Sequence, residues 1–293
     1  MDGLGRTIGT GNRIPSRSTL ETSLDRIVRN HRVTIAVLFP AVGAIVLVAS
    51  AEGWLPSALA FNPLLILLGV IVMRSPVISA LLPLVDRRVL LGIGALVAYT
   101  YGIEYIGVHT GWPYGEFAYG ISLGPMVGGI PLALPFLFIP FVLNAYLLWI
   151  VLVDDRHQRR YLRIIAIIAS VVAMDLVLDP AAVALGFWSY AGEAAYYDVP
   201  LSNYAGWVLS ATVAVLAVEF AFDDSKVQQR IETTPYVLDD LVSFVIIWGL
   251  INGWFQHWIP VVVAGVFALA IIVGLIRRHG LPRIGGDDGV HLG

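Results

Sequence analysis

Residues 161–179 read YLRIIAIIASVVAMDLVLD, a stretch long and apolar enough to cross a lipid bilayer as one helix. Its two acidic residues, Asp175 and Asp179, lie toward one end, and arginines cluster at the other end. Comparable apolar stretches recur along the whole chain. The predicted membrane spans cover residues 33–50, 57–73, 89–108, 131–153, 161–179, 203–222, 239–256 and 259–276.

The positively charged residues are confined to one side of these spans. All 18 lysines and arginines fall in alternate connecting segments, and the other connecting segments hold none. They are Arg6, Arg13, Arg17, Arg26, Arg29, Arg32, Arg74, Arg87, Arg88, Arg156, Arg159, Arg160, Arg163, Lys226, Arg230, Arg277, Arg278 and Arg283. Because positively charged loops stay in the cytoplasm, we predict that both termini are cytoplasmic and that the active side faces outward.

The composition predicts a protein made almost entirely of membrane helices. Hydrophobic residues make up 58% of the chain and charged residues only 13%. We therefore expect an all-α, polytopic bundle of about eight transmembrane helices in the plasma membrane. Residues 33–277 would form a single transmembrane catalytic domain, between a mobile, arginine-rich cytoplasmic tail at 1–32 and a second cytoplasmic tail at 278–293. Cysteine is absent, which excludes disulfides, a thiolate nucleophile and cysteine-ligated metals.

Two segments are expected to depart from regular spans. The apolar run Pro76–Val85 is too short to cross the membrane, so we expect it at the inner interface beside Arg87 and Arg88. The fourth span should be irregular near its outer end, because three prolines interrupt it. These are Pro131, Pro135 and Pro140.

Two outer loops, over residues 101–119 and 175–198, carry most of the unusual residues, and they resemble each other. Six residues of the first match six of the second, with one insertion. The first set is Trp112, Tyr114, Gly115, Glu116, Ala118 and Tyr119, and the second is Trp188, Tyr190, Gly192, Glu193, Ala195 and Tyr196. The match predicts a duplicated helix–loop–helix unit. The alternative is two unrelated loops whose aromatic residues prefer the membrane interface.

Three acidic residues near the outer ends of spans are candidates for catalysis. Asp175 and Asp179 are four residues apart and share a helix face, and Glu104 lies at a matching depth in another span. The outer side offers no cation to pair with them, and the negative ends of their helices disfavour a carboxylate. We therefore expect a carboxylic acid that stays protonated near neutral pH and acts as a general acid. The alternative is an interfacial carboxylate that is wetted by headgroup water or bonded by tyrosine hydroxyls.

Other polar residues of the outer side have more open interpretations. His109 and His257 are each either a proton relay or an ordinary interfacial histidine. Asn203 is either a helix cap or a ligand of a bound water, and Trp207 opens the same span. The histidines and carboxylates lack the close spacing of a zinc site, so no metal is predicted.

Three acidic residues of the inner side are interpreted differently. They are Glu219, Asp239 and Asp240. Their positions at the cytoplasmic ends of spans predict ordinary boundary charges.

Two motifs are similar to those of the membrane carotenoid hydratases. Residues 104–119 read EYIGVHTGWPYGEFAY, with one residue more before Thr-Gly than the family pattern, and residues 199–207 read VPLSNYAGW. Asp179-Pro180 and Gly186-Phe187-Trp188 complete the resemblance, which covers about residues 35–275. The arginine-rich composition and the pI of about 6.0 favour an archaeal member.

The resemblance implies a hydro-lyase that adds water to the terminal isoprenoid double bonds of a long acyclic carotenoid, as in the conversion of bisanhydrobacterioruberin to bacterioruberin. It implies no cofactor, a carotenoid lipid as substrate and the membrane as setting. Other membrane enzymes of carotenoid biosynthesis are candidate partners, and no nucleic acid is expected.

The residues themselves suit such a reaction. A neutral acid would protonate one carbon, aromatic rings would stabilise the tertiary carbocation, and a second carboxylate would accept a proton from water. The catalytic candidates are Glu104, Asp179, Asp175 and His109. The candidates for substrate binding are Trp112, Tyr114, Glu116, Tyr119, Trp188, Tyr197, Asn203 and Trp207.

Several other functions share part of this pattern. A carotenoid end-group cyclase uses the same protonation but excludes water. A membrane prenyltransferase would also use the Asp175/Asp179 spacing, but it would need Mg²⁺ and nearby cations for a diphosphate. A proton-coupled transporter would carry its acids near the membrane midplane. A retinal protein is excluded because Lys226, the only lysine, lies in a cytoplasmic loop.

Overall fold

The computed structural model describes residues 16–121, 123–153 and 160–279, and these residues are almost entirely helical. The helices are α1 (Arg17–Asn30), α2 (Phe39–Ala51), α3 (Pro63–Leu81), α4 (Arg87–Thr110), α5 (Leu134–Leu152), α6 (Arg160–Ala184), α7 (Leu201–Ala221), α8 (Asp224–Thr233), α9 (Asp239–Trp254) and α10 (Trp258–His279). A π-helical turn, Thr34–Leu38, leads into α2, and a 3₁₀ turn, Leu82–Leu84, follows α3. The strands are β1 (Phe117–Tyr119), β2 (Met126–Val127), β3 (Ile130–Pro131) and β4 (Trp188–Tyr190).

The predicted all-α membrane bundle is confirmed. Within the described ranges, seven helices are long and apolar enough to cross a membrane. They are Thr34–Ala51, Pro63–Leu84, Arg87–Thr110, Leu134–Leu152, Arg160–Ala184, Leu201–Ala221 and Trp258–Arg278. The protein is therefore a multi-pass membrane protein.

The predicted span over 239–256 is a helix, but a shorter one than the others. Its helix, α9, has 16 residues, which corresponds to about 24 Å at 1.5 Å per residue. That length is less than the hydrocarbon thickness of about 30 Å. α9 packs against α2, α3, α6 and α10, and both acids of its first turn, Asp239 and Asp240, are buried. It is thus an internal helix that still runs the length of the bundle, from the arginine pairs of Asp239 and Asp240 to the outer end, where Trp254 donates to Glu52.

The segment Pro76–Val85 does not lie along the inner interface as predicted. Helix α3 continues without a break through Pro76 to Leu81. Arg74, which was expected to end the span, is buried inside this helix because its guanidinium donates to the Asp240 carboxylate, with 2.8 Å between Nη1 and Oδ1. A buried partner allows a charge to remain inside a helix bundle, which the linear sequence does not reveal.

The outer end of the fourth span is irregular, as its prolines predict. Pro131 belongs to the short antiparallel hairpin of β2 and β3, and α5 begins only at Leu134. Pro140 lies inside α5 without ending it. The hairpin therefore places the first helical turn of α5 beside the outer loop of α4.

The inner acids are not simple boundary charges. Glu219 and Asp240 are buried, as is Asp239, and each pairs with an arginine. Arg163 reaches Glu219 at 2.9 Å and Asp224 at 2.6 Å. The cationic end of the bundle is therefore held together by ion pairs. Arg6, Arg13, Arg156, Arg159 and Arg283 lie outside the described residues.

Part of the predicted N-terminal tail is a helix that packs on the bundle. α1 contacts α3, and Asp25 accepts a hydrogen bond of 2.6 Å from the Tyr236 hydroxyl. Ser16 caps α1 by accepting a bond from the backbone of Thr19. Residues 1–15 of this tail, and 280–293 of the C-terminal tail, lie outside the described residues.

The two outer loops meet in a small antiparallel ladder of β1 and β4. Ala118 pairs with Ser189 at its centre, and Phe117 and Tyr119 pair with Tyr190 and Trp188. The flanking hydrogen bonds repeat the symmetry, because Gly120 N donates to Phe187 O and Ala191 N donates to Glu116 O. α4 packs against α7 as α6 packs against α5. This local two-fold arrangement is what a duplicated unit would produce.

The register of this two-fold arrangement differs from the predicted alignment. A rotation about the centre of the ladder relates Tyr119 to Tyr190, whereas the sequence match relates Tyr114 to Tyr190 and Tyr119 to Tyr196. The predicted alignment is wrong because both loops are rich in Tyr, Gly and Ala, so their residues match in more than one register. Hydrogen bonding of the strands, and not residue identity, defines the correspondence.

Candidate active site

A cavity of about 120 Å³ lies beneath the β1/β4 ladder, at the outer ends of the helices. Its walls come from the two loops and from α4, α5, α6, α7 and α9. Most of its lining is aromatic or aliphatic. The lining residues that carry chemistry or aromatic faces are Glu104, Tyr114, Phe117, Tyr119, Phe138, Phe141, Asp179, Phe187, Trp188, Tyr190, Asn203, Trp207 and Trp248.

Glu104 enters the cavity from α4 and is bonded by the loop that follows its own helix. The Tyr119 hydroxyl donates a short hydrogen bond to Glu104 Oε1. Strand β1 positions Tyr119 for this contact, because the pairing of Tyr119 with Trp188 fixes it against β4. Glu104 also lines the cavity.

Asp179 enters the cavity from α6 in a corresponding way. Tyr190, from β4, donates to Asp179 Oδ2 over 2.8 Å, and Asn203 Nδ2 donates to the same oxygen over 2.5 Å. Asn203 Nδ2 also donates to Asp175 Oδ2 over 3.0 Å. The amide of Asn203 therefore bridges the two aspartates. It does not cap α7 with its side chain, and its other predicted role, binding a water, stays a prediction.

The two aspartates form a buried pair without a cation. Asp175 is fully buried and Asp179 is 2% exposed. Their carboxyl groups lie side by side, since the same Asn203 nitrogen bonds an oxygen of each. Since two buried carboxylates side by side would repel strongly, the pair must retain a proton between them. Of the two, only Asp179 lines the cavity.

The two tyrosines that bond these acids are held as hydrogen-bond donors. Burial raises the pKa of Tyr119 and of Tyr190 well above the ordinary value for tyrosine, and the facing carboxyl groups raise each pKa further. Both hydroxyls therefore remain protonated at physiological pH. In each pair, the tyrosine hydroxyl already donates to a carboxyl oxygen. It therefore stabilises the carboxylate that remains when the acid loses its proton.

Aromatic rings cover the remaining walls. The Trp207 ring lies 5.4 Å from Phe138 and 6.2 Å from Phe141, centroid to centroid. Trp188 meets Tyr119 edge-on at 6.4 Å, and its buried Nε1 has no hydrogen-bond partner among the described residues. A cation formed in this cavity would face several ring surfaces, each contributing up to about 2 kcal/mol when water is excluded.

The structure brings together eight of the predicted site residues and leaves four outside. Asp175, Asp179, Glu104, Tyr114, Tyr119, Trp188, Asn203 and Trp207 line the cavity or contact a residue that does. Outside it lie His109, Trp112, Glu116 and Tyr197. His109 is exposed and stacks on Tyr105 at 4.1 Å, while its Nδ1 contacts the Tyr105 carbonyl. That histidine therefore lies outside the cavity.

The other three residues outside the cavity belong to the structure of the outer loops. Trp112 is 57% exposed, and Glu116 is exposed and contributes its backbone carbonyl to the ladder. The Tyr197 ring lies 4.5 Å from His257. Burial lowers the pKa of His257, which keeps this ring neutral at physiological pH. These residues shape the outer loops and do not contact the cavity.

Sequence reasoning missed the inner walls of the cavity. Phe138, Phe141 and Trp248 lie on predicted spans, where an aromatic residue facing a cavity cannot be distinguished from one facing lipid. Trp248 could have been identified from the sequence, because tryptophan prefers the membrane interface and this one lies within a helix. Tyr114 is bonded by Ser210 over 2.6 Å, a contact between distant spans that spacing could not indicate.

The arrangement is suited to acid–base chemistry on an apolar molecule. Two carboxyl groups, those of Glu104 and Asp179, line one aromatic cavity. In the part of the chain that the structure describes, no cluster of three His, Cys, Asp or Glu side chains has the geometry of a metal site.

Two comparisons relate the chain to known proteins. A family model described as carotenoid biosynthesis protein matches residues 61–271. A protein of Haloarcula japonica described as bisanhydrobacterioruberin hydratase is 50% identical over 274 residues, which cover 93% of this chain and 91% of that protein. No solved structure matches the chain significantly. The family match spans most of the helical bundle, cavity included, and the chain therefore belongs to the carotenoid biosynthesis protein family.

Proposed function

We propose that this protein is a carotenoid hydratase, a hydro-lyase that adds water to the terminal isoprenoid double bonds of a long acyclic carotenoid. The substrate would be of the bisanhydrobacterioruberin type, as the name of the Haloarcula relative suggests. The observation that carries the proposal is the single aromatic cavity into which Glu104 and Asp179 both project.

The reaction can be written with groups that line the cavity. One of the two carboxylic acids gives a proton to the less substituted carbon of the double bond, which leaves a tertiary carbocation on its neighbour. The rings of Trp188, Trp207 and Phe141 stabilise this cation. A water molecule then bonds to the cationic carbon, and the other carboxylate accepts the proton that the water loses. The sum is alkene plus water to tertiary alcohol.

The cavity also accounts for selectivity toward such a substrate. An isoprenoid end is apolar, and the cavity offers it aromatic and aliphatic walls. A diphosphate, by contrast, requires cations, and the outer segments of the chain contain no lysine or arginine. The geometry therefore favours a neutral polyene end over the prenyl diphosphate of a prenyltransferase.

Hydration should proceed without added cofactors and should take its oxygen from water. We expect membranes containing the protein to convert an anhydro-carotenoid to its alcohol in a strong chelator and without nucleotides. In ¹⁸O-labelled water the new hydroxyl should carry the label, as measured by mass spectrometry of the product.

Three results would contradict this reaction. If chelation abolished activity and Mg²⁺ restored it, a metal-dependent transferase would explain the site better. If the label instead entered from ¹⁸O₂, the enzyme would be an oxygenase. A cyclised product without oxygen would indicate an end-group cyclase.

We further propose that the cavity opens toward the extracytoplasmic side of the plasma membrane. In the part of the chain that the structure describes, the lysines and arginines lie toward the opposite end of the bundle from the cavity, and cationic ends are retained in the cytoplasm. A membrane-spanning polyene would then present its terminal double bond at the depth of the outer headgroups.

Cysteine labelling should verify this orientation, because the chain has no native cysteine. We expect an impermeant maleimide to label Ser189→Cys in intact cells but not Ser225→Cys, since both positions are exposed, on β4 and α8 respectively. Ser122, a second outer position for such labelling, lies outside the described residues. Labelling of Ser225→Cys alone would invert the orientation.

A further inference from the structure

Asp175 lies behind Asp179, away from the cavity, and one of its oxygens is left without a partner. Its side chain is fully buried, and Oδ2 accepts the bond from Asn203. Oδ1 is buried and has no hydrogen-bond partner among the described residues. Buried polar atoms nearly always have a partner in the protein or in bound water. The position of Oδ1 therefore needs an explanation.

A second buried oxygen without a partner lies close by. Tyr204 follows Asn203 on α7, and its hydroxyl oxygen is likewise buried and unpartnered within the described residues. Its neighbour Asn203 bonds both aspartates, and Tyr196, which its ring contacts, donates over 3.3 Å to the carbonyl of Leu176, the residue after Asp175. Its ring meets Tyr196 edge-on at 5.8 Å, and the Tyr196 ring meets Tyr197 at 4.8 Å, so this group leads toward the outer loop.

We propose that a water molecule binds between Asp175 Oδ1 and Tyr204 Oη and connects the aspartate pair with the outer face by a route separate from the cavity. Such a water can donate to the carboxyl oxygen and accept from the phenol, which gives both atoms a partner. On the cavity side, Asn203 bonds Asp175 and Asp179, and Tyr190 bonds Asp179. On the outer side, the Tyr196 ring contacts Tyr204.

The role of this water in turnover rests on the proposed function, whereas its presence does not. Each hydration moves one proton from one carboxyl group to carbon and returns one proton from the attacking water to the other carboxyl group. The resting state is restored only when a proton is exchanged. An apolar carotenoid end would fill the cavity and block exchange through it. The water behind Asp179 provides a path that remains open.

The site can be tested without substrate, by infrared spectroscopy of the full-length protein in detergent. The measurement follows the band of protonated carboxyl groups after transfer to D₂O. In wild type the Asp175 part of this band, identified by its loss in Asp175→Asn, should exchange readily. In Tyr204→Phe the carboxyl proton of Asp175 should exchange at least about tenfold more slowly, because exchange must then wait for local opening of the protein.

Tyr105→Phe is the matched control, because it removes a tyrosine hydroxyl of the outer zone that is exposed and stacked on His109. Its exchange should equal that of wild type. Equal exchange in Tyr204→Phe and wild type would overturn the proposal. So would a carboxyl band that Asp175→Asn leaves unchanged, because Asp175 would then hold no proton to exchange.

Hydration assays separate the two proposals. If the water binds at this site in the wild-type protein, Tyr204→Phe should lower kcat without changing KM. It should also increase the solvent deuterium isotope effect on turnover. Slower carboxyl exchange in a protein that hydrates no carotenoid would support the water site and contradict the hydratase. Normal exchange in Tyr204→Phe together with active hydration would contradict the water site alone.

Discussion

Asp179→Asn and Glu104→Gln should each reduce hydration at least about 100-fold, the lower range for loss of a general acid or base. Each substitution keeps the shape of the side chain but removes the group that donates or accepts the proton. The yield of folded protein should remain close to normal, because no lysine or arginine on the outer side would lose a partner. Product formation per unit of purified protein, measured by chromatography, gives the effect.

The control for these variants has to be a carboxyl group of the same surface that lies outside the cavity. Glu193→Gln meets this condition, since Glu193 is exposed in the loop after β4. It should retain wild-type turnover. Glu219 is unsuitable for this purpose, although its position near the inner end of a span suggests it, because it is buried against Arg163. Full activity of both Asp179→Asn and Glu104→Gln would place the chemistry elsewhere.

The second large effect is expected on stability, at the buried pair of Arg74 and Asp240. Both side chains lie inside the bundle, and Asn144 donates a further short hydrogen bond to Asp240. Asp240→Ala leaves the Arg74 guanidinium buried without a counter-ion, which should cost about 3–5 kcal/mol. We expect a large fall in the thermal unfolding midpoint of the protein in detergent.

A double substitution distinguishes loss of the pair from damage to the site as a whole. Arg74→Met combined with Asp240→Leu removes both charges, so it should be clearly more stable than Asp240→Ala alone. Glu21→Gln breaks the exposed pair with Arg17 and should change stability by less than about 1 kcal/mol. If Asp240→Ala unfolded at the wild-type temperature, the buried ion pair would contribute nothing to the fold.

Membrane helices and their boundaries were largely predictable, because bilayer thickness imposes a length that is visible in the sequence. The exceptions have a common cause. Arg74 was taken as the end of a span, and Asp240 as a boundary charge, because each is charged. Their pairing connects α3 with α9 across most of the chain, and no local pattern records such a contact.

The acids of the site were predictable for the same physical reason. Glu104, Asp175 and Asp179 are ionisable residues in apolar spans on a side without cations, which marks them as unusual. The loop residues were predicted less well. His109, Trp112, Glu116 and Tyr197 have the right chemistry, but the ladder of β1 and β4 directs Tyr119 and Tyr190 to the acids instead. Strand pairing between loops far apart in sequence decides that choice.

The measurement that tests the proposed hydration most directly is the pigment content of cells in which this gene is deleted and then replaced. Deletion should lead to a carotenoid that lacks the terminal tertiary hydroxyls, as identified by mass spectrometry. The wild-type gene should restore the hydroxylated pigment, and the Asp179→Asn gene should not, although its protein is present in the membrane. An unchanged set of pigments in the deletion strain would contradict the proposal that this cavity hydrates a carotenoid.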